Sequence, residues 1–286
     1  MLKVIRRSRN LRIGLLVFPG AFWLTVFFLA PLGVILVYSF LRRGPRGGVR
    51  WIFTTYNYIR MIDFIYLRIF LRSVGIALLT TIFCLIVGYP LAYFIARHRN
   101  EKWRNALLLL VVVPFWTNFL VRTYAWIVIL RTEGVLNIFL QSLGIIQEPL
   151  QLLYTLFAVI LGLVYGYLPF MVLPLYASIE KFDFSLMEAA YDLGADDRRA
   201  FLRVMLPLTA PGIIAGCILV FIPALGAFIT PDILGGAKVM MIGNLIQNQF
   251  LKARHWPFGS SLSIILMLIV VSAVVIYFRM TEERAI

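Results

Sequence analysis

Apolar residues in this chain come in long runs divided by short polar connections. Each run is long enough to cross a bilayer as a helix of about 20 residues. Six transmembrane helices are expected, at about residues 13–40, 71–96, 105–130, 154–178, 210–234 and 262–278. The first run follows a basic arm, residues 1–12, with Lys3, Arg6, Arg7, Arg9 and Arg12. It is too long for a signal-peptide core and lacks a small-residue cleavage site, so it reads as a first span. Residues 13–286 then form a single transmembrane domain, and the chain is an all-α polytopic membrane protein. Loop 41–71 is polar, with Arg42, Arg43, Arg46 and Arg50 beside Gly44, Gly47 and Gly48, then Trp51, Phe53, Tyr56 and Tyr58.

One connection differs from the rest. Within loop 179–209, the stretch SLMEAAYDLGADDRRAFLRVMLPL from Ser185 is charge-dense between two apolar runs. Ser185 and Glu188 have capping-box spacing, which predicts a helix start. Gly194 interrupts the helix formers where a bend costs least. A second helical pattern carries Phe201, Leu202, Met205 and Leu206 up to Pro207. Glu188 and Asp192, four apart, share one face of the first helix. Two short helices around a hinge, outside the bilayer, would suit a partner as a handle; the plainer reading is an amphipathic, solvated loop.

Composition supports the membrane assignment. The chain is 62% hydrophobic and 14% charged, against roughly 45–50% and 25% in soluble domains. The net charge of +14 is spread along the fringes of apolar runs, as topology signals and headgroup contacts are; nucleic acid is not an expected partner, and membrane lipid is. The Lys/Arg bias favours a cytoplasmic N-terminus only weakly. Cys84 and Cys217 lie inside apolar runs, with no metal-binding spacing.

Catalytic motifs are missing. None of Lys3, Lys102, Lys181, Lys238 and Lys252 is followed by Ser or Thr, so a P-loop is excluded. His98 and His255 sit in no metalloprotease motif, and no G-x-S-x-G elbow occurs. The chain is expected not to be an enzyme and to hold no cofactor or metal. Proline and glycine concentrate in the third to fifth spans, around PFWTN (114–118), YGYLPF (165–170) and PALGAFITPD (223–232). Such residues are best tolerated around water-filled paths or moving elements, which makes these spans the candidate pathway walls. Asn118 and Arg122, one turn apart, are polar at membrane depth. A cationic solute would suit Phe115, Trp116, Tyr165, Tyr167, Phe228 and Asp232, through aromatic faces and a carboxylate. For Trp51, Trp103 and Trp256 an interfacial aromatic belt is the better reading.

The handle carries a resemblance. Glu188, Ala189, Ala190, Gly194, Leu206 and Pro207 match the spacing of the EAA loop of ABC importer permeases, with Val204 where that family usually has Ile. PFWTN, YLPFMVLPLYASIEKFD, PLTAPGIIAGC, LGGAK, IGN and WPFGSS look like the spermidine/putrescine importer permeases, a likeness running from about Tyr56 to Phe278. The resemblance implies a type I importer permease fold in a bacterial inner membrane, with both termini cytoplasmic. It implies a homologous second permease, two copies of a cytoplasmic ATPase carrying ATP and Mg, and an extracytoplasmic polyamine-binding protein. Ser185, Glu188, Ala189, Ala190, Asp192, Gly194 and Ala195 would couple to the ATPase. Gly235, Lys238, Gly243 and Asn244 would meet the binding protein. The rivals are a related importer for ferric iron, sulfate, molybdate or thiamine, and an ATP-independent channel or secondary carrier.

Overall fold

The computed structural model describes residues 16–236 and 238–282; the basic arm 1–12 and the last four residues lie outside them. By chain contacts the protein divides into two compact units. The first gathers the chain through Phe64 with the chain from Ile246 onward, and the second is Ile65–Leu245.

In the first unit, α1 (Leu16–Ser39) packs against α13 (Trp256–Glu282) through its second half. The connection after α1 is not simply a polar loop. It forms a two-stranded antiparallel hairpin, β1 (Leu41–Arg43) and β2 (Val49–Phe53), then a short helix α2 (Tyr56–Arg60). Gly47 and Gly48 adopt φ of +91° and +76°, which side-chain-bearing residues rarely reach. Buried Asn57 closes the connection by donating from Nδ2 to the carbonyls of Ser39 and Leu41, both at 2.9 Å. The last helix begins at Trp256, well before the expected 262. Pro257 suits a helical first turn, and His255 Nδ1 accepts from the Phe258 N–H at 3.2 Å.

In the second unit, α3 (Phe64–Ala96) starts earlier than residue 71 because apolar positions continue around Arg68. The expected span 105–130 is two helices, α4 (Glu101–Trp116) and α5 (Phe119–Leu130). The break falls after PFW, with Pro114 inside α4. Thr117 Oγ1 turns back to the Pro114 carbonyl (2.7 Å), and Asn118 Oδ1 caps the new helix at the Leu120 N–H (2.8 Å). A short helix α6 (Val135–Ser142) leads to α7 (Leu156–Glu180), which passes through Pro169 and Pro174 unbroken. The handle is α8 (Ser185–Asp192) and α9 (Asp197–Leu208). The expected span 210–234 also divides, into α10 (Ala210–Leu225) and α11 (Ile229–Gly235). Helix α12 (Ile242–Leu251) begins in this unit, runs past its last residue, Leu245, and precedes α13.

The centre of this unit is α10 against α7. Gly212 faces Pro174 and Ser178, and a Cβ on Gly216 would lie 2.7 Å from the Met171 sulfur. Small residues four apart let two membrane helices approach this closely. One apolar cluster joins α3 (Tyr89, Ile95) to α7 (Met171, Leu175, Ile179) and the handle. A second joins Ile76, Leu130, Leu163, Leu234 and Met241.

Among the described residues, five segments are long and apolar enough to cross a bilayer. A sixth appears if α9 and α10, bent by 67°, count together. Many large apolar side chains on α1 and α3 are uncovered, as lipid-facing or subunit-facing surface would be.

Candidate functional site

The handle is built from its ends inward. The expected capping box does not form: neither Ser185 nor Glu188 caps α8. Asp183 Oδ1 accepts from the Ser185 N–H instead, at 3.0 Å. That hydrogen bond holds the exposed Asp183 carboxyl below the usual carboxylate range. At the other end Gly194 has φ +82°. Its N–H bonds to the Tyr191 carbonyl (2.9 Å), and the Ala195 N–H to that of Ala190 (3.0 Å). This is a Schellman closure, which needs a left-handed residue where glycine stands. Asp196 Oδ1 then caps α9 at the Arg199 N–H, 2.7 Å.

One side of the handle is seated in the first apolar cluster. Met187, Ala200 and Met205 are buried there, with Phe182 from the entry turn. Phe201 meets the edge of the Tyr89 ring at 5.5 Å. The elbow into α10 is held by buried Thr209, whose Oγ1 bonds to the Met205 carbonyl (2.8 Å) and shares a hydrogen bond with the Tyr89 hydroxyl (3.0 Å). Beside the handle entry, the Arg97 guanidinium lies over the rings of Tyr93 and Phe184 at 5.6 and 5.7 Å. Arg104, at the start of α4, reaches Glu180 at 3.6 Å, and Tyr176 donates to Glu180 Oε1 at 2.6 Å.

The other side of the handle is open. Ser185, Glu188, Ala189, Asp192 and Gly194 are exposed, while Ala190 and Ala195 are half-buried against the cluster. Leu193 is 89% exposed and Leu186 45%. Leu186, Ala189 and Leu193 fall at helical i, i+3 and i+7 spacing, so an apolar stripe runs beside the two acids. The outward direction of Leu193 was hidden in the sequence, since spacing alone does not tell which helix face meets the core.

The pathway residues do not all converge. Tyr167 and Phe228 line one cavity of about 210 Å³ with Phe119, Pro223, Gly226 and Thr230. The cavity sits at the break between α10 and α11. There the Ala227 N–H bonds to Ala224, leaving the Pro223 carbonyl without its usual helical donor. The Tyr167 hydroxyl donates to that carbonyl at 3.2 Å. Phe115 connects indirectly, its ring 5.1 Å from Phe170, which is 6.3 Å from Tyr167. Arg122 lies over the faces of Phe115 and Phe119 at 5.7 and 5.8 Å. Trp116 is 75% exposed at the end of α4, Asn118 is a helix cap, and Tyr165 packs edge-on against Trp126. Asp232 is exposed in the first turn of α11 and lines none of this cavity. Phe119 and Thr230 were missed because only the break geometry brings them in.

Of the four loop residues, only Lys238 is at the surface. Gly235 is buried against Val159 and Val239, and Gly243 against the carbonyls of Gly226 and Ala227. Buried Asn244 accepts from the Met241 N–H (3.2 Å) and donates to the Phe228 carbonyl (2.6 Å). Ser73 Oγ accepts from the Ile242 N–H at 2.7 Å, and Arg72 donates to the Lys238 carbonyl at 3.2 Å. Three of the four therefore hold the loop in place.

Comparison with known proteins agrees with this architecture. The chain is 49% identical over 257 residues to the spermidine/putrescine transport system permease protein PotB of Salmonella typhimurium (strain LT2), covering 90% of this chain and 89% of that one. PotB of Escherichia coli K12 is 48% identical over 90% of this chain and 93% of its own. The E. coli inner membrane ABC transporter permease protein YdcU is 35% identical over 71% and 68%. In fold, the chain matches the crystal structure of a bacterial ABC transporter involved in import of the acidic polysaccharide alginate (TM-score 0.72, 18% identity, 99% and 98% coverage). It also matches the alginate transporter in complex with its alginate pentasaccharide-bound periplasmic protein (TM-score 0.75, 17% identity, 99% and 97% coverage). The fold is that of a type I ABC importer permease. Residues 88–281 match the family described as binding-protein-dependent transport system inner membrane component, and this chain, with its bilayer-length helices and polar handle, belongs to that family of multi-pass inner-membrane permeases.

Proposed function

We propose that this chain is a permease subunit of an ATP-driven importer for polyamines such as spermidine and putrescine. The observation that carries the solute is the 48–49% identity to PotB permeases over 90% of the chain. The complex contains a homologous second permease, two copies of a cytoplasmic ATPase that binds ATP and Mg, and an extracytoplasmic binding protein. Both termini are cytoplasmic.

The open side of the handle docks in the ATPase. Leu186, Ala189 and Leu193 supply its apolar contact, and Glu188 and Asp192 meet basic or polar groups. The seated side transmits the movement: Met187, Ala200 and Met205 share a cluster with α3 and α7, and Thr209 ties the elbow to Tyr89. A push on the handle therefore reaches α10, whose far end forms the wall of the Tyr167–Phe228 cavity. Among the described residues no carboxylate lines that cavity, so cations pass along aromatic faces and backbone carbonyls. Exposed Lys238 contacts the binding protein, and Asp232 attracts cations from outside the cavity.

The test is uptake of labelled spermidine and putrescine into vesicles holding the reconstituted complex. Uptake that needs both ATP and the binding protein is expected. ATP-dependent uptake of another solute alone would discard the polyamine and keep the coupling; uptake by this chain alone without ATP would discard both.

A further inference from the structure

The first unit contains a pocket of about 480 Å³ at the place where its two paired apolar helices end. Helix α1 stops at Ser39 and α13 starts at Trp256. The rings of Tyr38 and Trp256 stack there at 6.5 Å, as aromatic residues do at a membrane–water boundary. Arg42 and Arg43 follow within a few residues, so their side chains reach headgroup depth.

Among the described residues, the polar lining of the pocket is Arg42, Arg43, Thr54, Tyr56, Asn57 and His255, with no carboxylate. Arg43 Nη2 donates to the Ala253 carbonyl at 2.8 Å, which fixes one guanidinium across the pocket. Because His255 Nδ1 accepts from Phe258, a neutral ring carries its hydrogen on Nε2 as a further donor. Burial, with Arg43 and Arg60 nearby, holds the imidazole below its ordinary pKa. The strand register adds a second, independent sign. Arg42 stands directly opposite Arg50, and like charges facing each other destabilise a strand pair. Among the described residues neither forms an ion pair with Asp or Glu. An anion placed between them would relieve that opposition.

We propose that this pocket holds the phosphate of an anionic phospholipid headgroup, gripped by the Arg42 and Arg43 guanidinium groups. Charge-assisted hydrogen bonds from guanidinium to phosphate are among the strongest available to a side chain. A lipid fits better than an acidic protein face, because the pocket opens at the ends of two spanning helices. Trp51 and Phe53 are also 73% and 75% exposed on the same hairpin, which suits insertion beside acyl chains. The bound headgroup neutralises a basic loop that otherwise repels cations.

The experiment uses the purified, delipidated complex, titrated with phosphatidylglycerol, phosphatidylcholine or inorganic phosphate and read by native mass spectrometry and thermal unfolding. Arg42→Gln is the main variant, since among the described residues the Arg42 side chain makes no hydrogen bond or ion pair and its removal relieves the opposition to Arg50. Arg198→Gln/Arg199→Gln removes two charges from the exposed handle as a control. Phosphatidylglycerol is expected to be retained over phosphatidylcholine and to raise the unfolding temperature. Arg42→Gln should weaken retention about fivefold to tenfold, consistent with about 1 kcal/mol or slightly more per basic residue at a membrane surface, and the control should not. Equal retention of phosphatidylcholine, or equal loss in the control, overturns the site. Binding of inorganic phosphate without preference for phosphatidylglycerol overturns the lipid source. Unchanged lipid retention in Arg42→Gln, with loss of ATP hydrolysis stimulated by the binding protein, assigns the surface to a protein and overturns the proposal.

Discussion

The handle end and the loop end of the second unit bury apolar clusters around the same two helices, α3 and α7, yet they fix their backbones by different means. At the handle end side chains interlock: Met187, Ala200 and Met205 are seated among Tyr89, Ile95 and Ile179, with Thr209 as a buried polar tie. At the loop end, buried polar side chains clamp the main chain. Asn137, 1% exposed, donates to the carbonyls of Arg131, Thr132 and Leu150 and accepts from the Leu150 N–H. Asn244 and Ser73 do the same around residues 228–242. Apolar packing is non-directional and tolerates small slides, whereas a multiply bonded amide has one good geometry. The first suits an element that must move with a partner, and the second suits loops that must keep their shape while it does.

Removing a clamp should therefore cost more than trimming a packed side chain. Asn137→Ala strands several buried backbone groups and is expected to destabilise by about 3 kcal/mol. Thermal unfolding in detergent, with faster hydrogen exchange confined to residues 131–150, checks it. Met205→Ala is expected to cost about 2 kcal/mol, with the added exchange appearing in the handle and its elbow. An Asn137 variant milder than the Met205 variant would reverse the contrast between the two ends.

Tyr167→Phe is a smaller change, at about 1 kcal/mol. It frees the Pro223 carbonyl at the cavity and should raise the KM for solute severalfold, with little change in ATP hydrolysis. The smallest effect concerns Asp183. Its carboxyl titrates below the ordinary range when folded, so the cap is intact above that range and is lost as pH falls through the lowered value. Exchange protection at residues 185–188 should hold from neutral pH down through the ordinary aspartate range, about 4, and drop only below it. Asp183→Asn, still an acceptor, should remove that dependence.

The sequence made the handle end legible because its signals are local. Charge density, Gly194 and the E-A-A spacing locate two helices and a hinge, and the structure shifts only the capping from Ser185–Glu188 to Asp183 and Asp196. The loop end was not legible in the same way. Asn118, Asn137 and Asn244 look alike in sequence as isolated polar residues near apolar runs. Only tertiary contacts make one a helix cap and the other two buried clamps. The breaks after Trp116 and Leu225 were anticipated as irregularity from proline content, yet Pro169 and Pro174 leave α7 intact while Thr117–Asn118 and Gly226–Phe228 end helices. The hairpin at 41–53 escaped notice because four arginines and three glycines between Leu41 and Phe53 obscure any strand alternation. Convergence of Tyr167 and Phe228, and exclusion of Asp232, depended on where those breaks fall.

The central claim is that the open side of the handle couples this chain to its ATPase. It is tested most directly by Glu188→Lys in the reconstituted complex, with ATP hydrolysis and ATP-dependent uptake measured together. The account predicts a chain that remains folded in the membrane, with uptake lost and hydrolysis no longer stimulated by the binding protein. Normal uptake with stimulated hydrolysis in that variant would contradict it.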